Sequence, residues 1–381
     1  MKIVVAIDSF KGSLTSAEAG NAAADGIRRA MPDADILVFP VADGGEGTTA
    51  ALTDGLHGIY RSVSVHDPLG RPICAQYGIL PDRTAVIEMS AASGLPLLTM
   101  QERNPMHTTT FGFGEMIADA LAQGCRNLIL GIGGSATNDC GTGCLQALGF
   151  RFLNADGVPV QAGNAGLSEI SSIDGNSILT ALRESTIRVA CDVTNPLYGP
   201  QGCTYVFAPQ KGADASQLAD MDDAIRHFAG IVQQILPDAD PCLAGSGAAG
   251  GIGFALRSFL HAELINGIRL IAEQTNLTAA IRCADLIVTG EGCLDAQTAM
   301  GKAPAGIAEI AKQTGKPVVA FSGITCPDDT LHQCGIDAFF SILQTCCTPA
   351  EAMQPDTAKR SLAQTAEQVF RIIRCAKDYK I

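Results

Sequence analysis

Residues 2–41, KIVVAIDSFKGSLTSAEAGNAAADGIRRAMPDADILVFPV, decide the fold. KIVVAI is a β-branched apolar run that stops at Asp8 and reads as a buried strand. Thr15 and Glu18 have the spacing of a capping box, and Ala19, Ala23, Ile27 and Ala30 follow at helical intervals. ADILVFPV (34–41) is a second strand, and DGGEGTTAALTDGL (43–56) is a glycine loop feeding a second helix. Strand, helix, strand, helix is the opening of an α/β fold with a parallel sheet.

The same rhythm returns near the other end. ADLIVTGE (284–291), KPVVAFSG (316–323) and DAFFSIL (337–343) read as strands, with a helix over 303–314 joining the first two. A last helix, 357–376, sets Leu362, Ala366, Val369, Ile373 and Ala376 on one stripe beside an i,i+4 pair, Glu367 and Arg371. Between these ends the pattern differs. Residues 61–90 read as antiparallel hairpins punctuated at Pro68, Gly70, Pro72, Pro81 and Asp82. Residues 151–210 read as irregular and strand-rich (RFLNADGVPV, IRVACDV, TYVFAP), and 214–236 and 254–283 as mostly helical. The expected architecture is a discontinuous, Rossmann/flavodoxin-like doubly wound parallel-sheet domain, residues 1–60 and 284–381, carrying a second, inserted α/β domain, residues 61–283. The cleft between two such domains is the default ligand site.

Composition narrows the partners. The 381 residues carry a formal charge of −13, which argues against a nucleic-acid backbone or an anionic membrane surface. A small anion is still compatible, because a few N–H groups and one lysine hold a phosphate locally. Fourteen cysteines include no CxxC and read as small buried hydrophobes of a reduced chain. Six scattered histidines with no HExxH give no zinc site. The apolar run before Asp8 is too short for a signal-peptide core, and the longest uncharged runs are too polar or too glycine-rich to span a bilayer. A cytoplasmic protein, monomer or homodimer, is expected.

In an open parallel sheet, ligands bind beyond the carboxyl ends of the strands. Those ends carry Asp8-Ser9-Phe10-Lys11, Asp43-Gly44-Gly45-Glu46, Gly290 to Asp295, and Ser322-Gly323, while RVACDVTNP adds Asp192 after another apolar run. Any one of these acids could simply cap a helix. Three acidic loops on one sheet edge repel one another unless a cation or protons sit among them, and Mg²⁺ with substrate phosphates suits such a set. NLILGIGGSATNDCGTG (127–143) runs a strand into five glycines. GIGGSA fits G-x-G-x-x-[GA], but no acid stands at a strand end about twenty residues on and no Lys-Ser/Thr follows, so a generic anion loop remains, with Ser135, Thr137 and Asn138 as added donors. AGSGAAGGIG (244–253) serves equally as an anion loop or as close helix packing. Lys11, Lys211 and Lys302 are cations next to glycine; Lys11 is preferred because it lies between a strand end and a helix N-terminus.

These segments together resemble the bacterial glycerate kinases of the type-1 family. AIDSFKGSLTSAEA, ADGGEGT, VIEMSAASGL, NPMHTTTFGFGEMI, GIGGSATNDCGTGCLQALG, ACDVTNPLYGPQG, FAPQKGA, GSGAAGGIGFAL and TGEGCLDAQTAMGKAP stand in family order over nearly the whole chain. The resemblance implies two α/β domains and transfer of the γ-phosphoryl group of ATP to D-glycerate with Mg²⁺, giving ADP and 2-phosphoglycerate, with 3-phosphoglycerate left open. On that reading Asp192 and Asp295 share the base and metal-binding roles, and Lys11 joins them in catalysis. Asp8 and Ser9 hold glycerate or the moving phosphate, Asp43 and Glu46 face the same cleft, and Gly133, Gly134, Ser135 and Asn138 line the anion site. The resemblance also leads one to expect Arg where Cys293 stands, and often Ser or Gly in place of Ala296. Two rival readings are an NAD-dependent 2-hydroxy-acid dehydrogenase, resting on GIGGSA, and a non-catalytic sugar-acid binding protein.

Overall fold

The structure is a computed structural model and describes residues 1–296, 298, 301–326 and 329–379. In chain order its strands are β1 (Lys2–Ile7), β2 (Asp35–Val38), β3 (Ile59–His66), β4 (Pro72–Ile79), β5 (Thr84–Glu88), β6 (Asn127–Gly131), β7 (Arg151–Leu153), β8 (Ser172–Asp174), β9 (Thr186–Ala190), β10 (Glu263–Ile265), β11 (Leu286–Leu294), β12 (Val318–Thr325) and β13 (Ala338–Ser341). The chain divides into two units: Met1–Asp43, Ala50–Leu56 and Gly267–Ile381 form the first, and Gly44–Thr49 with His57–Asn266 the second.

The first unit is built on a five-stranded, all-parallel sheet in the order β13-β12-β11-β1-β2. Counted along the chain within the unit and read from the β2 edge, this is the 2-1-3-4-5 order of a flavodoxin-like doubly wound sheet. β1 lies near its middle, which is why its sequence is apolar without alternation. Ile3, Val5 and Ile7 pack under the helices Ser16–Ala30 and Pro355–Tyr379, with Ala23, Ile27, Leu362, Ala366 and Phe370. These two helices touch so closely that a side chain at Gly26 would overlap the Ala363 carbonyl. Val4 and Ala6 point the opposite way and are equally buried, beneath the helices Leu277–Cys283 and Ala303–Gln313. The Thr15–Glu18 capping box forms as read. Next to it, Ser16 Oγ donates to the Ile7 carbonyl at 2.6 Å and accepts from the Val41 N–H at 2.7 Å, tying the end of β1 to the chain beyond β2.

The boundary at 283 needs correction. The helices Gly267–Gln274 and Leu277–Cys283 belong to the first unit, where Gly306 of the helix Ala303–Gln313 leaves room for Ile268. An amphipathic helix shows that it covers a sheet, not which sheet, so the expected border fell a helix pair too late.

The second unit holds a six-stranded sheet, β10-β9-β6-β5-β4-β3, and a small β7–β8 ribbon. β3–β4 and β4–β5 are antiparallel as expected for 61–90, but β5 then pairs parallel with β6, and β6, β9 and β10 continue in parallel. One local reading fails. TYVF of TYVFAP lies in a helix, Cys203–Phe207, where Cys203 and Thr204 are buried and Tyr205 and Val206 exposed. The stretch 254–283 is mostly helical, as expected, with the short strand β10 inside it. A second hydrophobic cluster in this unit centres on Phe152, Phe228 and Phe254, with edge-to-face rings 6.0 and 6.4 Å apart.

The glycines of 127–143 answer to chain packing. A Cβ on Gly133 would stand 2.7 Å from Gly45 Cα, one on Gly131 2.9 Å from the Gly44 carbonyl oxygen, and one on Gly141 2.8 Å from Ile252 Cγ1. The loop 44–49 is pressed onto the carboxyl end of the second unit's sheet, where the Thr49 N–H donates to Glu88 Oε1 at 2.6 Å. The glycines of 244–253 serve the same end, since side chains at Gly247 and Gly250 would overlap the Pro196 and Thr137 carbonyls.

Candidate active site

In the first unit the chain passes from β1 to β2 on one side and later returns at β11 on the other, so the winding reverses between β1 and β11. Such a switch point is where an open parallel sheet receives its ligand. The Asp8 N–H extends the β1–β11 ladder by donating to the Gly290 carbonyl at 2.8 Å, which sets Asp8 beside Glu291. The sequence reading ended the strand at Glu291, yet β11 runs on to Leu294. Gly290 and Gly323 make the close pairing of β11 with β12 possible, because a side chain on either would run into the Phe321 or the Gly292 carbonyl; glycines of this kind also made the segment look like a loop.

Asp8, Ser9, Lys11, Glu291, Cys293 and Lys302 line one cavity of about 390 Å³. Asp8 is almost fully buried, and its carboxyl is pushed up from an ordinary 3.8 to about 7. Burial is the main cause and Asp43 the next; the Ser9 N–H (2.6 Å) and Lys11 oppose them, and Glu291 adds a smaller upward push. Glu291 is raised as well, chiefly by burial, with Asp43 and Asp295 adding to it against the Thr298 hydroxyl (2.6 Å) and the Lys302 ammonium (3.8 Å). Asp295 itself exchanges hydrogen bonds with Thr298 at 3.1 and 3.2 Å. Of the expected site residues, Asp8, Ser9, Lys11, Asp43 and Asp295 are therefore gathered at the switch point of the first unit. Glu291 and Lys302 join them. Sequence reasoning noted both without giving either a role, although an acid and a lysine flanking the same loop were the available signal.

The other expected residues lie in the second unit. Glu46 is exposed on the 44–49 loop. Asp192 is exposed at the end of β9, where Asn266, just past β10, donates to its Oδ1 at 2.6 Å. Gly133, Gly134 and Ser135 follow β6. Asn138 departs from its expected place on an anion-site wall: it is fully buried and its amide donates to Thr204 Oγ1 at 3.0 Å, so its part is to hold the loop. Its neighbour Asp139 is also fully buried and accepts from the Thr110 N–H and hydroxyl and the Gly141 N–H at 2.8 to 3.0 Å. Lys211, noted in the sequence only as a cation next to glycine, is 3% exposed. It donates to Ser135 Oγ at 2.8 Å and to the Thr137 carbonyl at 2.7 Å, and burial lowers its ammonium to about 8. A lysine between glutamine and glycine has no sequence signature of burial.

The first unit's donors suit a divalent cation. They are hard carboxylate oxygens whose mutual repulsion adds to burial in raising Asp8, and a cation would relieve that repulsion. Among the described residues no group of three His, Cys, Asp or Glu side chains would hold a metal unaided.

A doubly wound sheet with carboxylates and lysines around the cavity at its switch point is the equipment of an α/β phosphotransferase. Comparison with known proteins bears this out. The model of the glycerate kinase family matches residues 3–374. The glycerate kinase of Bacillus subtilis (strain 168) is 44% identical over 379 residues, 99% of each chain. The glycerate 2-kinase of Escherichia coli (strain K12) is 44% identical over 356 residues, 93% of each. A crystal structure from Salmonella typhimurium LT2, assigned as a glycerate kinase 2, superposes with a TM-score of 0.90 at 42% identity and 99% coverage of both chains. The chain belongs to the glycerate kinase family. It is a phosphotransferase with an alcohol group as acceptor, a class that displaces the dehydrogenase and the non-catalytic binder. Among the described residues no helix is long and apolar enough to cross a membrane.

Proposed function

We propose that the protein transfers the γ-phosphoryl group of ATP to the 2-hydroxyl of D-glycerate, giving 2-phosphoglycerate and ADP, with Mg²⁺ bound alongside the nucleotide. The end-to-end identity of 44% with proteins named glycerate kinase carries this reading, and the relative named glycerate 2-kinase favours the 2-position.

Phosphoryl transfer asks for positioning and charge neutralisation more than for covalent chemistry. Asp8, with a carboxyl near neutrality, is suited to take the proton of the acceptor hydroxyl. Lys11 and Lys302 border the cavity and would hold phosphate oxygens in line. Asp43, Glu291 and Asp295 are the oxygen donors from which one or two would hold Mg²⁺, whose part is to neutralise the charge of the transferring group. Asp192 is the second candidate for the base. In the other unit, Lys211 fixes Ser135 and the loop after β6 from behind.

The test is a proton-coupled ³¹P spectrum of the product formed from ATP, Mg²⁺ and D-glycerate. A phosphate on the 2-carbon couples to one proton and gives a doublet; one on the 3-carbon couples to two and gives a triplet. A doublet is expected. A triplet overturns the regiochemistry, and intact ATP with no phosphoester overturns the function.

A further inference from the structure

The cavity at the switch point has two unlike walls. Toward β1 and β11 it is lined by Asp8, Lys11, Glu291 and Lys302; toward β12 and β13 by Ile324, Ile342, Leu343 and Met353. Three of these apolar residues are strongly exposed, Ile324 at 57%, Leu343 at 40% and Met353 at 47%. Scattered exposed hydrophobics need no explanation, but several converging on one concave site mark a place for an apolar ligand surface. Glycerate has no such surface, since each of its three carbons carries oxygen. The polar end is equipped for phosphate: Lys302 stands at the start of the helix Ala303–Gln313 without capping it by its side chain, the first turn has proline and no acid, and Lys11 approaches from the end of β1. Met353 lies over the turn after Lys11, with its Cε 3.0 Å from where a Cβ on Gly12 would stand, so the apolar wall reaches the cationic corner without a break.

We infer that this cavity of the first unit is the nucleotide site. The purine and ribose of a nucleoside triphosphate lie over the carboxyl ends of β12 and β13 against Ile324, Leu343 and Met353, and the phosphates run across the sheet edge to Lys302 and Lys11. The inference rests on the kinase reading above and deepens it by assigning the donor substrate to a place. About 390 Å³ is within the range of small-molecule pockets.

Cys347 lines the same cavity and is exposed, which makes it a reporter independent of turnover. Alkylation of the whole protein by N-ethylmaleimide, followed at each cysteine by peptide mass spectrometry, is run with no addition, with ADP and Mg²⁺, and with D-glycerate. Cys74, exposed on β4 of the other unit, is the internal control. ADP slows labelling of Cys347 at least fivefold and leaves Cys74 unchanged, while D-glycerate protects neither. Protection of Cys347 by D-glycerate, or none by saturating ADP, overturns the inference. Leu343→Glu and Met353→Glu alter exposed side chains and leave the fold intact, as the unfolding midpoint will show; each raises KM for ATP about tenfold and leaves KM for D-glycerate within twofold. The reverse pattern also overturns the assignment. The two readings fail separately: phosphoglycerate formation without ADP protection removes only the nucleotide site, and ADP protection without phosphoglycerate removes only the acceptor.

Discussion

Asp8→Asn separates the chemistry of the switch point from its cost to stability. Asp8 is 3% exposed and its carboxyl moves from 3.8 to about 7 on folding. At 1.36 kcal/mol per pH unit, holding the ionised form in the fold costs about 4 kcal/mol. The sign follows from proton binding. Between 3.8 and 7 the folded state keeps a proton that the unfolded state has lost, so this residue lowers stability progressively as pH rises through that window and by a constant amount above it. Asparagine does not titrate. The stability of the variant relative to the parent must therefore grow by about 3 kcal/mol between pH 5 and pH 8, whatever the amide itself gains or loses by packing. For a domain of this size that corresponds to a relative gain of ~6–12 °C in Tm. Urea unfolding at both pH values, with EDTA and no nucleotide, measures the double difference. The same variant should lose about 10²–10⁴-fold in kcat if Asp8 is the base. A pH-independent stability difference would show that burial and Asp43 leave Asp8 with an ordinary carboxyl, and the reasoning would fail.

The remaining predictions concern other residues. Lys211 sits buried with its ammonium lowered to about 8, so above that pH the unfolded state holds the extra proton and stability rises; between pH 7.5 and 9.5 the parent should gain about 2 kcal/mol on Lys211→Met, read by urea unfolding. Gly133→Ala forces a Cβ to 2.7 Å from Gly45 Cα and should cost ~1–3 kcal/mol. Gly230→Ala, in the helix Leu218–Ile235 where a Cβ meets nothing within 4 Å, should instead stabilise by ~0.5–1 kcal/mol. Glu291→Gln and Asp192→Asn distinguish the carboxylates: the first should raise the Mg²⁺ concentration needed for half-maximal rate, and the second should lower kcat only if Asp192, rather than Asp8, is the base.

Where the sequence was legible, one local pattern sufficed. β1 announces itself by an uninterrupted apolar run, the helix Ser16–Ala30 by its capping box, and the C-terminal helix by the stripe through Leu362, Ala366 and Val369. What stayed hidden depends on a partner remote in the chain. The helices of 267–283 looked the same whichever sheet they covered. β11 was cut short because glycines that admit a neighbouring backbone also resemble a loop. TYVF looked like a strand because its exposure shows only once folded. The site divides along the same line. Asp8, Lys11, Asp43 and Asp295 were visible as polar residues at the ends of apolar runs, whereas the burial that perturbs Asp8 and Glu291 comes from segments almost three hundred residues apart in sequence.

The topology also explains why the perturbed acids of the first unit meet where they do. In the second unit the parallel strands β5, β6, β9 and β10 are laid down side by side in chain order, with no reversal, and the carboxyl end of that sheet is occupied by the chain's own 44–49 loop. Its glycines and buried acids are spent on fitting backbone to backbone: Glu88 holds Thr49, and Asp139 holds the turn at Gly141. In the first unit the reversal between β1 and β11 separates the departing connections, so Asp8, just past β1, and Glu291, within the adjacent β11, lie side by side with a cavity between them and the apolar ends of β12 and β13. Like charges are costly there unless a ligand brings compensating charge. On the function proposed above, a phosphorylated ligand with its cation would bring that charge, and the carboxylates would then serve the reaction even though Asp8 weakens the fold that carries it.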